Sequence, residues 1–219
     1  MPLTEGRELL SKSQADSSNI IPVLDHGYIR LCDHMGTDLT VVNAAKVSFN
    51  KKADSFDANG SRLLLKTLGP KGHLGPFKHP QIQFEIKMPL FVARQLMTHR
   101  VGICWSERSL RYTESDLEFY NPKMLFDFTV VADEYKYLIE QGINREEARL
   151  ILPLATYTTT LVTMSLLAAS HLIKLRDDKH AQFETQEYAR AIKTFVGKLF
   201  PVSLEALLGA SPNDLSNTV

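Results

Sequence analysis

The chain predicts an α+β fold, a small antiparallel sheet packed against a helical C-terminal half, and three features carry that expectation. Residues 81–88 set Ile82, Phe84 and Ile86 against Gln83, Glu85 and Lys87, the two-residue period of a strand with one wet face. Residues 20–24 and 28–32 are short apolar segments joined by the turn chemistry of Asp25-His26-Gly27. Beyond residue 129 the periodicity becomes helical, and no repeat, low-complexity stretch or long linker interrupts it.

Taken in order, residues 1–19 are a polar lead-in without pattern. After the first two strands, Asp38 is placed to cap a helix over 39–47, and a second short helix over 61–68 is stopped by Gly69-Pro70. Pro89 sits where a helix can begin after the 81–88 strand, and Leu90, Ala93 and Met97 give residues 90–99 helical spacing. Residues 101–122 read as a structured loop with a strand at 117–120. Helices follow at 129–141, 145–151, 154–175 and 180–199, with Asn144 capping the second and Pro153 separating it from the third. The expected division is one domain over 1–219, with a mixed part over 20–128 and a helical part over 129–205.

A length of 219 residues, 44% of them hydrophobic and 23% charged, is enough for a globular core. Twenty-five lysines and arginines balance 25 acids, so no global field draws nucleic acid or an anionic membrane. Two cysteines, Cys32 and Cys104, make no disulfide framework, and the N-terminus lacks the basic-then-apolar order of a signal peptide, so a cytoplasmic location is expected. From Leu150 to Ile173 no charged residue occurs, but the threonines, serines, His171 and Pro153 make the stretch too polar to face lipid. A helix without a charged face is buried on most sides. In a chain this short, a second subunit is the expected cover.

Charge concentrates between positions 94 and 111, where Arg94, Arg100, Arg108 and Arg111 stand against one acid, Glu107. A cationic loop after a helix end suits a phosphorylated ligand, because arginine offers a planar fork to two phosphate oxygens at once. A solvated basic loop is the alternative. Arg149 and Arg176 end the uncharged run, and an arginine beside apolar helices calls for an anion or a buried pair. For Arg176, Asp177, Asp178 and Glu184 are the candidate partners. His73 and His79, or His171 and His180, lack the spacing of a zinc helix, so no metal is expected. No GxGxxG turn is present.

The same residues resemble the signature of the flavin-dependent thymidylate synthases, an Arg-His-Arg triplet followed by a serine and then an arginine. Here Thr98-His99-Arg100 precede Ser109-Leu110-Arg111-Tyr112 at that spacing. Four more blocks recur in order. Asn43-Ala44-Ala45-Lys46-Val47-Ser48 resembles the family's first helix end, and Gly72-His73-Leu74-Gly75-Pro76-Phe77-Lys78-His79 its histidine-rich segment. Glu147-Ala148-Arg149-Leu150 and Arg176-Asp177-Asp178-Lys179-His180 resemble its C-terminal blocks. The likeness departs at Thr98, where the signature has arginine, at Gly75 and Lys78, where it has a hydroxyl residue and a glutamate, and at Ser165, where many members have asparagine.

The resemblance implies reductive methylation of dUMP to dTMP, with FAD as cofactor and NADPH and methylenetetrahydrofolate as co-substrates. It places Gln95, Thr98, Glu107, Arg108, Ser109, Leu110, Arg111, Arg149 and Arg176 around dUMP, with Arg176 as the catalytic cation. Around FAD it places Ser48, His73, Thr98, His99, Arg100, Glu107, Ser165, His171 and His180. It also implies a homotetramer whose sites are shared between subunits, and no cysteine nucleophile, leaving Cys104 as a small packed residue. Arg94 or Arg108 is positioned to replace the charge missing at Thr98. Two other readings stand beside this one. Thr98 motivates a non-catalytic nucleotide-binding homologue. The 94–111 cluster admits a nucleic-acid module, which the zero net charge opposes.

Overall fold

The structure is a computed structural model that describes residues 19–111 and 117–209. The lead-in expected at 1–19, apart from Asn19, and Tyr112 of the signature lie outside the described residues. Five antiparallel strands form one sheet: β1 (Ile20–Val23), β2 (Gly27–Met35), β3 (Gln81–Pro89), β4 (Ile103–Glu107) and β5 (Tyr157–Ser165). Their spatial order is β1-β2-β3-β5-β4, so β5 sits inside the sheet between β3 and the edge strand β4. The helices are α1 (Asp38–Lys46), α2 (Gly60–Leu68), α3 (Leu90–Leu96), α4 (Thr129–Glu140), α5 (Arg145–Ala148), α6 (Leu166–Arg176), α7 (Phe183–Leu199) and α8 (Pro201–Leu208).

The alternation over 81–88 comes out as read, with Ile82, Phe84, Ile86 and Met88 buried on one face of β3. Val162 and Met164 of β5 continue that apolar layer, and α7 covers it with Tyr188, Ile192, Phe195 and Val196. The rings of Phe84 and Phe195 meet at 5.8 Å, and Tyr188 donates its phenol proton to the carbonyl of Lys87 at 2.7 Å. Each fully buried apolar side chain of this size stabilises the fold by about 1.5–3 kcal/mol, so this layer dominates the packing. The opposite face carries Gln83, Thr163 and Cys104 in one row across the strands, with Gln83 donating to Thr163 at 3.1 Å.

Three expectations need correction. Residues 154–175 are not one helix. Tyr157–Ser165 is an interior strand, paired over its length with β3, and only Leu166–Arg176 is helical. The strand's open face carries Thr159, Leu161 and Thr163 where β3 carries Lys87, Glu85 and Gln83, which leaves the stretch uncharged, and Thr158, Thr159, Thr160, Val162 and Thr163 carry the β-branching that favours a strand. Second, the strand of the 101–122 region is Ile103–Glu107 rather than 117–120, where Phe119 makes a single bridge to Thr156. Third, Thr37 caps α1, through a reciprocal pair with Thr40. The carboxylate of Asp38 is buried and accepts from the backbone of Val202 at 3.0 Å and Ser203 at 2.9 Å, so it caps the start of α8 instead. Helix α8 itself was not foreseen.

Helix α4 has no buried side chain, and Met124, Leu125, Phe126 and Val130 around it are exposed. Among the described residues no helix is long and apolar enough to cross a membrane.

Candidate active site

Two helices end at one point. Helix α3 leaves β3 with its first amides satisfied by the segment that leads into β5, Leu90 donating to the carbonyl of Thr156 at 2.9 Å and Phe91 to that of Leu154 at 3.1 Å. It buries Val92, Ala93 and Leu96 and stops at Met97. Helix α6 starts from Ser165, whose hydroxyl accepts from the amide of Ala168 at 3.2 Å, and ends at Arg176. The Arg176 guanidinium lies across the C-terminus of α3. Its Nη2 donates to the Gln95 carbonyl and to Thr98 Oγ1, each at 3.0 Å, and its Nε donates to His99 Nε2, also at 3.0 Å. The cation therefore sits in the last turn of one helix and against the carbonyl end of another, where both backbone dipoles are negative.

None of the acids weighed as a partner for Arg176 takes that place. Asp177 pairs with Arg190 and Lys193, Glu184 accepts from Tyr120 at 3.0 Å, and Asp178 accepts from the His180 amide at 2.9 Å. Burial opposes ionisation of Asp177, but the hydrogen bonds from Lys193 and Arg190 outweigh it and hold its carboxyl below the usual range. Arg176 thus keeps its full charge beside neutral acceptors.

His99 is one of those acceptors. Burial, then the adjacent Arg176 and His171, push its pKa down to about 4. At neutral pH the ring is uncharged, and Nε2 must carry the lone pair, leaving the proton on Nδ1. Its carbonyl accepts from the Trp105 indole at 2.9 Å, which ties β4 to the end of α3.

Beside this cluster is a cavity of about 500 Å³ walled by Lys78, Gln81, the 101–104 turn and strand start, Thr163, Ser165, Leu167, Ala168 and His171. Gly102 holds the turn with φ of +71°; a β-carbon there would come within 2.9 Å of Ser165 Oγ. Only glycine gives that backbone without strain. His171 Nε2 is buried and has no hydrogen-bond partner. Burial, with Lys174 and Lys78 nearby, lowers the pKa of this histidine as well. An unpaired buried ring nitrogen on a residue of the cavity wall calls for a partner that the chain alone does not supply. Cys104, expected to be packed, is exposed and lines the cavity, because its register opposite Thr163 turns it to the open face.

A second cluster lies at the other end of β4. Glu107 accepts from Thr158 at 2.9 Å, and the amide of Arg108 donates to Thr159 at 2.8 Å, fixing the start of the loop. The Ser109 hydroxyl accepts from the Arg111 amide at 3.3 Å, and the Arg111 side chain pairs with Glu146 of α5. Arg149 follows in the next turn and is exposed, so the expected burial of this arginine does not occur within one chain. Strand β4, about 13 Å from its first residue to its last at roughly 3.3 Å per residue, runs between the two clusters.

The structure thus gathers Gln95, Thr98, His99 and Arg176 in one place, Ser165 and His171 on the adjoining wall, and Glu107, Arg108, Ser109, Leu110, Arg111 and Arg149 in another. The Gln95 amide faces inward, donating to Gln182 at 2.7 Å and accepting from Thr185 at 3.0 Å. Arg94, Arg100, Ser48, His73 and His180 are exposed, and among the described residues no side-chain bond joins them to either cluster. Sequence reading passed over Trp105, Gly102 and Lys78 as site residues. The lone tryptophan and the Val101-Gly102 turn inside the signature were the available signals.

Residues 30–202 match the family described as thymidylate synthase complementing protein. A flavin-dependent thymidylate synthase of Thermotoga neapolitana is 38% identical over 205 residues, covering 86% of this chain and 94% of its own length. One from Pseudothermotoga lettingae is 35% identical over 208 residues, covering 86% and 93%. Among solved structures, the UMP/dUMP methylase PolB from Streptomyces cacaoi bound with 5-Br dUMP superposes with a TM-score of 0.77 at 30% identity, covering 87% of this chain and 98% of that one.

Proposed function

The chain belongs to the flavin-dependent thymidylate synthase family, and from that premise we propose that it methylates dUMP to dTMP with Arg176 as the cation set against the pyrimidine. The observation that carries the reading is the guanidinium held at two helix ends by neutral acceptors, beside a cavity with an unpaired histidine nitrogen. A fixed charge in such a place stabilises negative charge that develops on a ring carbonyl without reorganising during the reaction.

The cavity fits a flavin. Its walls are apolar at Ile103, Leu167 and Ala168, while Ser165, His171 and Lys78 offer polar atoms around them. We assign Ser165 and His171 to that wall, with Thr98, His99, Arg100, Glu107, Ser48, His73 and His180 completing the cofactor site on the strength of the family resemblance. FAD reduced by NADPH supplies the hydride that turns the one-carbon unit of methylenetetrahydrofolate into a methyl group. The residues bind, orient and polarise. Arg111 and Ser109 suit the nucleotide phosphate, a planar fork beside a hydroxyl, with Gln95, Thr98, Glu107, Arg108, Leu110 and Arg149 around the nucleotide. Cys104 has no assigned role as nucleophile.

The separation of the two clusters within one chain, and the apolar side chains exposed around α4, support a homotetramer in which neighbouring copies complete each site. A single domain over 1–219 working in the cytoplasm is consistent with free, exposed Cys32 and Cys104. The deciding experiment is anaerobic incubation of the purified, flavin-loaded protein with dUMP, methylenetetrahydrofolate and NADPH. Formation of dTMP is expected; flavin reduction without any dTMP would sink the reading.

A further inference from the structure

We propose that Thr98 is the positioning residue for Arg176, its hydroxyl fixing the guanidinium so that one nitrogen, Nη1, is presented to the substrate. The proposal rests on the reading of Arg176 given above and concerns the place where this chain parts from the family signature.

Thr98 Oγ1 has a single proton, and the short contact to the Gln95 carbonyl, 2.7 Å, uses it. Only lone pairs remain to face Arg176, so the 3.0 Å contact to Nη2 runs from arginine to threonine. The Gln95 carbonyl accepts the second Nη2 proton and His99 Nε2 accepts the Nε proton. Three of the five guanidinium N–H groups are thereby committed, the two parallel ones of the Nε–Nη2 edge and the outer proton of Nη2. Among the described residues Nη1 has no partner. A planar group bound at two of its nitrogens by three acceptors cannot turn about its own axis. What it offers a ligand is one nitrogen in one direction, suited to a carbonyl oxygen.

An arginine at position 98, as in the signature, would bring a second cation to the same spot and could accept nothing from Arg176. Threonine replaces a like charge with an acceptor. The departure that seemed to weaken the site instead completes the cradle of its central cation.

A double-mutant cycle tests this, with Thr98→Val, Arg176→Ala and the pair compared with the parent protein. The measured quantities are dUMP affinity by calorimetry, the turnover number at saturating flavin, and the melting temperature as a monitor of the fold. Loss of a hydrogen bond to a charged group is expected to lower turnover by about tenfold in Thr98→Val, with the melting temperature nearly unchanged, and Thr98→Ser is expected to restore it. Thr98→Ala serves as a second probe with the same expected loss. In the Arg176→Ala background, Thr98→Val is expected to reduce dUMP affinity no further. Full turnover in Thr98→Val, or the same loss of affinity with and without Arg176, would overturn the inference while leaving Arg176 catalytic. Normal turnover in Arg176→Ala would instead overturn the reading on which it rests.

Discussion

Arg176 and Arg111 are the same side chain in opposite surroundings. The first is half-buried and held by three neutral acceptors from the end of another helix. The second is exposed, on a loop, and pairs with a carboxylate of a neighbouring surface helix. A cation surrounded by dipoles keeps its charge and its direction. A cation on a mobile stem beside one exposed acid is limited to a contribution of about 0–1 kcal/mol. One region is therefore assembled within the single chain, and the other is held only by contacts at its surface. Pre-oriented charge acts on the transition state; adaptable charge acts on binding.

The largest expected effect follows from that split. Arg176→Ala should lower the turnover number by about 10²–10³, the usual consequence of removing one oriented charge-stabilising group, while flavin content is retained. Equal losses of flavin and turnover, measured by absorbance and dTMP formation on one sample, would make Arg176 a packing residue and erase the contrast. Arg111→Ala should act on the other parameter. Its KM for dUMP should rise about tenfold with a smaller change in turnover number, as expected when a charged hydrogen bond to a phosphate is lost. A drop confined to turnover would move Arg111 to the assembled side of the comparison.

The two regions also differ in how far the sequence disclosed them. The loop was legible as chemistry, since four arginines against Glu107 stand out in a neutral chain. The Arg176 cradle was not. Its acceptors are a backbone carbonyl, a threonine hydroxyl and an imidazole nitrogen from residues about 80 positions away, and no period or local pattern encodes a contact that the fold creates. Ion pairs with Asp177 or Glu184 were the natural local guess, yet both acids are taken, by Arg190 and Lys193 and by Tyr120. The fold shows the same division. β3 was read from its alternation, because one face is wet. β5 has the same two faces, but Thr159, Leu161 and Thr163 stand on the open one where β3 has Lys87, Glu85 and Gln83, so its lack of charge mimicked a buried helix although its threonines pointed to a strand. Asp38 was read as a cap of its own helix, while its partner amides come from α8, far along the chain.

The assembled region should also respond to acid. His99 has a pKa of about 4 in the folded chain against an ordinary value of 6.5. Between those values the unfolded chain binds a proton that the folded chain refuses, so stability falls as the pH drops from about 6.5 to about 4. Above that window this group leaves stability unchanged. Lowered by burial in the same direction, His171 steepens the slope. Chemical denaturation of the parent and of His99→Asn across this range should show a shallower slope in the variant. Identical slopes would mean that the imidazole is not held buried beside Arg176 in solution.

The smallest effect is expected at Glu146, and its sign is what matters. Glu146 pairs with Nη2 of Arg111, and on the proposed reading a phosphate bound at that nitrogen would compete with it. Because both side chains are exposed, that pair is limited to about 0–1 kcal/mol, at most a few-fold in an equilibrium constant. Glu146→Gln should therefore leave the melting temperature nearly unchanged and lower KM for dUMP by no more than a few-fold, an advantage that shrinks as salt screens both partners. The same substitution imposed on Arg111→Ala should do nothing, since the carboxylate then has no competitor to release. A rise in KM instead would mean that Glu146 holds Arg111 in its binding position, and the loop would then count as built in advance, as the helix-end cluster is.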